Sequence, residues 1–384
     1  MIVAIVAGPV ANKPGNGGNA WVPHAYVAGL RRLGFEALLV EELDPSTCTD
    51  LRGNPVPFRD SRNLAFIAQT ARQLGQTDHT AVVCGDDVWG MEPGRLVDVC
   101  AEADLLLNIS GHLNGRLQEL PRCKVYVDLD PGYTQLWHAQ GLPGSRLAGH
   151  DVYFTVGSNV GRSDCSIPSD DIRWIATLPP TILSEWPVVD PPDDGRFTTV
   201  ASWRGPYGRV TDGGRTYGLK AHEFRRFVDI PRRAPSTFEI ALDIHPDDIR
   251  DRQTLLRHGW RITDPYTTVA GPLEFRHYVQ GSLAEFSVAQ GIYVDTGSGW
   301  FSDRTARYLA SGRPAVVQDT GFGRTLPVGE GVLTFRNPDE AVVRVREVME
   351  DPERHAKAAR AFAEEHLDSD VVLGRMLEIA GVSP

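Results

Sequence analysis

Residues 289–335, AQGIYVDTGSGWFSDRTARYLASGRPAVVQDTGFGRTLPVGEGVLTF, read as strand, glycine-rich turn, short helix, strand, loop and strand. A β-prone run at 291–294 is broken by Gly297, Ser298 and Gly299, and Ser302 stands at the N-cap position ahead of the helix-period residues Ala306, Leu309 and Ala310. Gly312 and Pro314 stop that helix, and a buried strand restarts at 315–317. Such a turn aims backbone N–H groups and the positive end of a helix dipole at one point, as a diphosphate requires. Glycine-rich βα turns also occur in α/β proteins without that role, so the rest of the chain has to decide.

With 384 residues, two domains are expected rather than one. Hydrophobic content of 41% and charged content of 23% are those of a globular chain, and no apolar run reaches the roughly 20 residues a membrane helix needs. The opening MIVAIVAGPV is short and lacks a basic leader, so it is expected to be a first strand of a cytoplasmic protein. The net charge of −11, with no basic block, argues against nucleic acid or an anionic membrane as the main partner, while a negative body can still hold a positive pocket. Cys48, Cys84, Cys100, Cys123 and Cys165 form no CxxC or Cys/His cluster, which predicts reduced thiols and no structural zinc. Only four of the 39 basic residues are lysines, a usage that suggests a GC-rich bacterial genome and makes Lys220 conspicuous.

The first half alternates β-prone runs at 2–6, 37–40, 81–84, 105–107 and 125–129 with helical stretches at about 23–33 and 62–74 and one ending near 101. Repeated βα units predict a parallel sheet with helices on both faces, and right-handed crossovers bring the strand C-termini to one edge. The loops on that edge, at 8–21, 84–90, 108–115 and 128–135, are where an open α/β sheet binds ligands. Residues 181–196 include a proline-rich, aperiodic stretch and read as a linker between a domain at 1–180 and a second at 197–384. The second half alternates again, with strands at 197–201 and 238–242 and helices at 220–228, 246–258, about 338–349 and 352–367. The last helix is expected to pack back on the first domain.

The segment from about 282 to 368 resembles the nucleotide-sugar-binding domain of GT-B-fold glycosyltransferases. Their pattern of a helix reading roughly LEAMASGRPVV, a strand ending TDTGG and an xDPE helix is matched by ARYLASGRPAVVQDTGFG and RNPDEAVVRVREVME. GNGGNAWVPHAYVAGLRRLGFEALLVEEL is similar to the family's opening loop, helix and second strand. The resemblance implies two Rossmann-like domains facing across a cleft, a nucleoside-diphosphate sugar as consumed donor, no permanently bound cofactor and no metal. Two glutamates that many retaining members carry are replaced, with Ser298 near the first position and Arg307 at the second. The donor is therefore expected to be held by main-chain N–H groups and hydroxyls across Ser298, Gly299, Ser302, Asp303, Arg304 and Thr305. An arginine and a lysine that clamp the diphosphate in related enzymes correspond best to Arg204 and Lys220, with Arg215 as a rival; surface charges would look the same in sequence. Trp203, Tyr266 and Tyr278 are candidates to stack on the donor base.

Transfer to an alcohol, amine or thiol calls for a group that accepts its proton, supplied by the first domain across the cleft. The candidates are Asp130, His112, Asp128 and His24, in that order. Asp128 and Asp130 share a strand face by their spacing of two, although an Asp-Pro-Gly turn needs Asp130 for its own hydrogen bonding. Asn16, Gly17, Gly18, Asn19 and Trp21 form the expected acceptor wall, with Trp89, Tyr133 and Trp137 nearby. The reading is a glycosyltransferase acting on a small-molecule acceptor. Its rivals are a nucleotide-sugar epimerase of the same architecture, with Asp295, Asp303 and Asp319 as its acids, and a nucleotide-sugar-binding protein without catalysis.

Overall fold

A computed structural model describes residues 2–190, 195–205 and 207–383. The first half forms one sheet from β1 (Val3–Ala7), β2 (Glu36–Glu42), β3 (Thr80–Cys84), β4 (Asp87–Trp89), β5 (Leu105–Ile109), β6 (Cys123–Asp128), β7 (Val152–Thr155) and β8 (Trp174–Ala176). Their order is β4-β3-β2-β1-β5-β6-β7-β8, parallel except for the β3–β4 hairpin at one edge. In the second half, β9 (Phe197–Ser202) leads to a separate antiparallel hairpin of β10 (Val210–Asp212) and β11 (Arg215–Tyr217). The sheet continues with β12 (Phe238–Asp243), β13 (Arg261–Thr263), β14 (Ala284–Ser287), β15 (Ala315–Gln318) and β16 (Val332–Phe335), all parallel in the order β13-β12-β9-β14-β15-β16. Strand order reverses beside β1 in one sheet and beside β9 in the other, which creates a crevice at the carboxyl ends of each.

Covering helices bury both faces of these sheets, so the strands are nearly continuous in apolar residues instead of alternating. All four residues of β14 are buried, Glu285 included. The run at 291–294 is a helix, Gly291–Asp295, and not the expected strand. Ile292 and Tyr293 gain more by packing on Tyr133, Leu136 and Tyr217 than their β-propensity offers. Sequence periodicity also passes over β4, β7, β8, β13 and β14, each of three or four residues.

The C-terminal helix Ser369–Ala380 sends Val372, Leu373, Met376 and Leu377 into the core of the first domain. Gly29 permits this approach, since a Cβ there would lie 2.5 Å from Leu373 Cδ1. The stretch read as a linker is anchored where it is described. Trp186 is buried against Trp21 with ring centroids 4.8 Å apart, and Thr181 bridges to Asp368; residues 191–194 lie outside the described residues. Among the described residues, no helix is long and apolar enough to cross a membrane.

Candidate active-site cleft

Between the two sheets lies a cleft of about 600 Å³. One wall comes from the loops after β1, β5 and β6 and includes Lys13, Asn16, Gly18, Asn19, His112 and Asp130. The facing wall includes Ser202, Tyr207, Asp243, Tyr266, Asp303 and Arg304. The loop at 84–90 does not reach it, because the chain turns back there into edge strand β4.

Asp130 is the carboxylate that joins the walls. Its Oδ2 accepts from the Tyr207 hydroxyl at 3.0 Å and its Oδ1 from the Tyr293 hydroxyl at 2.7 Å, both across the domain boundary. The carboxylate in turn pushes the Tyr207 hydroxyl's pKa up, with burial adding to it. A carboxylate oxygen has more than one acceptor site, so Asp130 keeps capacity to accept a further hydrogen bond.

Asp128 has a different task from the one expected. It is fully buried and accepts from the Thr134 and Thr155 hydroxyls at 2.7 Å each, from Gln135 Nε2 at 2.8 Å and from the Asp130 N–H at 3.0 Å. It thus fixes the turn that presents Asp130 and cannot meet an acceptor; burial raises its pKa against those bonds. His112 borders the cleft, but burial, Lys13 and Arg146 lower its pKa to about 3, so it is a neutral imidazole and a weak base. His24 is removed from the cleft altogether: its Nε2 meets the Glu185 carboxylate at 2.8 Å and its Nδ1 faces Gln76 at 3.3 Å.

The expected acceptor wall divides as well. Asn16 caps the Gly17–Arg32 helix by accepting from the Asn19 N–H at 3.1 Å, and both asparagines border the cleft. Gly17 and Gly18 serve the domain contact: a Cβ on Gly17 would lie 2.0 Å from Gly271 O, and one on Gly18 2.8 Å from the Phe275 ring. Trp21 is buried in the same contact, its Nε1 donating to Pro272 O at 2.9 Å, so it offers no face to an acceptor.

In the second domain, the 297–301 turn does not have the open backbone expected of it. The N–H of Ser298 goes to Tyr293 O (3.2 Å), that of Gly299 to Thr320 O (2.7 Å), that of Trp300 to Ser298 Oγ (3.2 Å) and that of Phe301 to Val156 O (3.3 Å). The carbonyls of Ser298 and Gly299 accept from Asn159 and Ser158 of the first domain at 3.1 and 3.2 Å. This turn is a latch between domains. Ser302 caps the Asp303–Ala310 helix through the Arg304 N–H at 3.2 Å, and with Thr305 it lines a small cavity of about 10 Å³. Arg307 is buried, donating to Pro180 O, Thr181 Oγ1 and Trp21 O at 3.2, 3.0 and 3.3 Å, so it staples the helix to the first domain and the segment after it.

The cationic centre is Arg304 with Lys220. Arg304 borders the cleft and donates to Glu285 Oε1 at 2.7 Å, Ser287 Oγ at 2.6 Å and Val200 O at 2.8 Å, three of its five N–H groups. Lys220 is buried behind it with Nζ on Val288 O at 2.7 Å; burial first, then Arg304, lowers its pKa to about 7. Arg204 is not part of this centre, being an exposed partner of Asp248 at 2.9 Å. Trp203 and Tyr278 are core residues, whereas Tyr266 is exposed and borders the cleft. Of the acids epimerisation would use, Asp295 pairs with Arg215 at 3.2 Å and Asp319 with Arg336 at 2.9 Å, and Asp303 borders the cleft. Sequence reasoning missed Tyr207, Tyr293, Glu285 and Ser287. Tyr207 lies in the insertion between Arg204 and Lys220, and Glu285 lies on a strand too short to announce itself.

No protein-family model matches the sequence, and no curated protein is similar to it at a significant level. Solved structures are similar over nearly the whole chain. HepE of Anabaena in complex with UDP-glucose superposes with a TM-score of 0.61 at 12% identity, covering 99% of this chain and 100% of that one. An α-glucosyltransferase in complex with UDP and a 13-mer DNA gives 0.61 at 12% identity, with the same coverage. AviGT4, a glycosyltransferase of avilamycin A biosynthesis, gives 0.57 at 12%, covering 99% and 97%. The second of these corrects the expectation drawn from net charge: a protein of this architecture is seen with DNA, and total charge does not describe a cleft, so −11 does not exclude nucleic acid. Two parallel Rossmann-like sheets facing across a cleft, together with these similarities, show that the chain has the GT-B glycosyltransferase fold.

Proposed function

We propose that this protein transfers a sugar from a nucleoside-diphosphate sugar, bound by the second domain, to a hydroxyl-bearing small molecule bound by the first. The observation that supports the reading is a carboxylate, Asp130, on one side of the cleft and Arg304 on the other, with Lys220 buried nearby and outside the cleft lining. Asp130 would accept the acceptor's O–H proton as that oxygen attacks the anomeric carbon and the bond from that carbon to the diphosphate oxygen breaks. Arg304 and a protonated Lys220 would take up the charge developing on the departing diphosphate. Tyr266 offers its exposed ring to the donor base. UDP in the similar glucosyltransferase and HepE structures supports a uridine donor.

The test is incubation with UDP-, dTDP- and GDP-hexoses and a panel of small alcohols, with duplex DNA as a further acceptor, scored by nucleotide release and product mass. Acceptor-dependent release of UDP with a new small-molecule glycoside is expected. Glycosylated DNA would overturn the acceptor assignment, and an epimerised sugar or unchanged donors throughout would overturn the transferase reading.

A further inference from the structure

The loop after β1, GPVANKPGNGG at 8–18, occupies the strand-end position where a Rossmann-like domain binds phosphate. Its first N–H groups already have an anion. Glu41, near the end of β2, is 1% exposed. Its Oε2 accepts from the N–H groups of Val10 at 2.9 Å and Ala11 at 2.7 Å, and its Oε1 from that of Asn12 at 2.8 Å. Successive N–H groups converging on one anion form a nest of the kind that otherwise takes phosphate. Asn63 ties the same loop from another side, donating to Ala11 O at 2.8 Å. Beyond the nest the chain supplies Lys13, Asn16 and Asn19 to the cleft.

We infer that Glu41 is a positioning residue: its carboxylate fills the phosphate nest of the first domain, holds the 9–19 loop as a wall of the acceptor side, and thereby leaves the donor diphosphate to the second domain. The acceptor and donor parts rest on the proposed transferase reading, whereas the filled nest stands on the loop geometry. Burial pushes the Glu41 carboxyl up to about 7, against the pull of the three N–H groups and of Lys13. A carboxylate in so dry a place depends on those donors to remain ionised, and they depend on it for a partner.

The experiment uses the full chain as wild type, Glu41→Ala and Glu41→Gln. Hydrogen exchange of peptides covering 9–19 is followed with and without sodium formate, and UDP affinity is measured by calorimetry. Exchange across 10–12 is expected to rise at least tenfold in both variants. Formate should restore protection in Glu41→Ala by refilling the nest and leave the wild type unchanged. UDP affinity should stay within about twofold. Unchanged exchange in both variants, or accelerated exchange in Glu41→Ala that formate does not reverse, would overturn the positioning role. If Glu41→Ala does not fold, unchanged exchange in the isosteric Glu41→Gln overturns it alone. UDP affinity falling tenfold in a folded variant would overturn the assignment of the diphosphate to the second domain. Wild type that binds no UDP contradicts the donor reading, and the formate result still decides the nest.

Discussion

Asp128 accepts four hydrogen bonds beneath the turn and leaves Asp130 as the carboxylate that reaches the cleft. The two should therefore fail differently. Asp130→Asn is expected to cut transfer at least a hundredfold with the melting temperature nearly unchanged, since loss of a positioned base typically costs about 10²–10⁴ in rate. Asp128→Ala should instead destabilise the fold by about 3 kcal/mol in urea unfolding, because it leaves buried hydroxyl and amide donors unpaired. Lys220 supplies a pH signature. Its folded pKa, about 7 against an ordinary 10.5, means that the unfolded chain binds more protons between those values, so this group makes stability rise with pH there. The slope approaches about 1.4 kcal/mol per pH unit and should vanish in Lys220→Met. A diphosphate bound beside Lys220, as proposed, would recharge the amine, so UDP affinity is expected to fall as pH rises above 7. Calorimetry in buffers of different ionisation enthalpy should show proton uptake on binding; affinity independent of pH from 7 to 9 would contradict this role.

At the scale of elements, the 297–301 turn matters as a domain latch. Gly299 has φ +73°, and a Cβ there would lie 2.4 Å from Ser158 Oγ and 2.9 Å from Asn159 N. Gly299→Ala should cost about 1–3 kcal/mol, read from the urea midpoint, through backbone strain and loss of the contact. Asn159→Ala removes bonds to Gly297 O at 2.8 Å and Gly321 O at 3.1 Å and should weaken the same latch. Elements with local signals were legible in sequence: Ser302 caps the helix assigned to it, and the helix expected at about 338–349 runs from Pro338 to Glu350. The 284–287 strand was not, because four buried residues with a central glutamate carry no period, and the β-prone 291–294 run became helix under tertiary packing. The latch was unreadable for another reason. Free and engaged backbone N–H groups look alike in sequence, and its partners at 156–159 are about 140 positions away.

For the whole molecule, the GT-B architecture was legible because its βα repeats and the SGRP segment are local patterns. The cleft contents were not, since Asp130 meets Tyr207 and Tyr293 only after two domains dock. Arg307 shares in the docking, its three hydrogen bonds reaching the first domain and the segment after it. Arg307→Met should lower stability by about 3 kcal/mol, because it leaves buried carbonyls unpaired, and should raise the radius of gyration measured by small-angle scattering as the domains separate. Everything proposed for the reaction requires the second domain to hold the donor nucleotide across the cleft from Asp130. A crystal structure with UDP bound tests it most directly. The diphosphate is expected on Arg304 and beside Lys220, with the uracil near Tyr266; a diphosphate seated on the 9–19 loop of the first domain would contradict that placement.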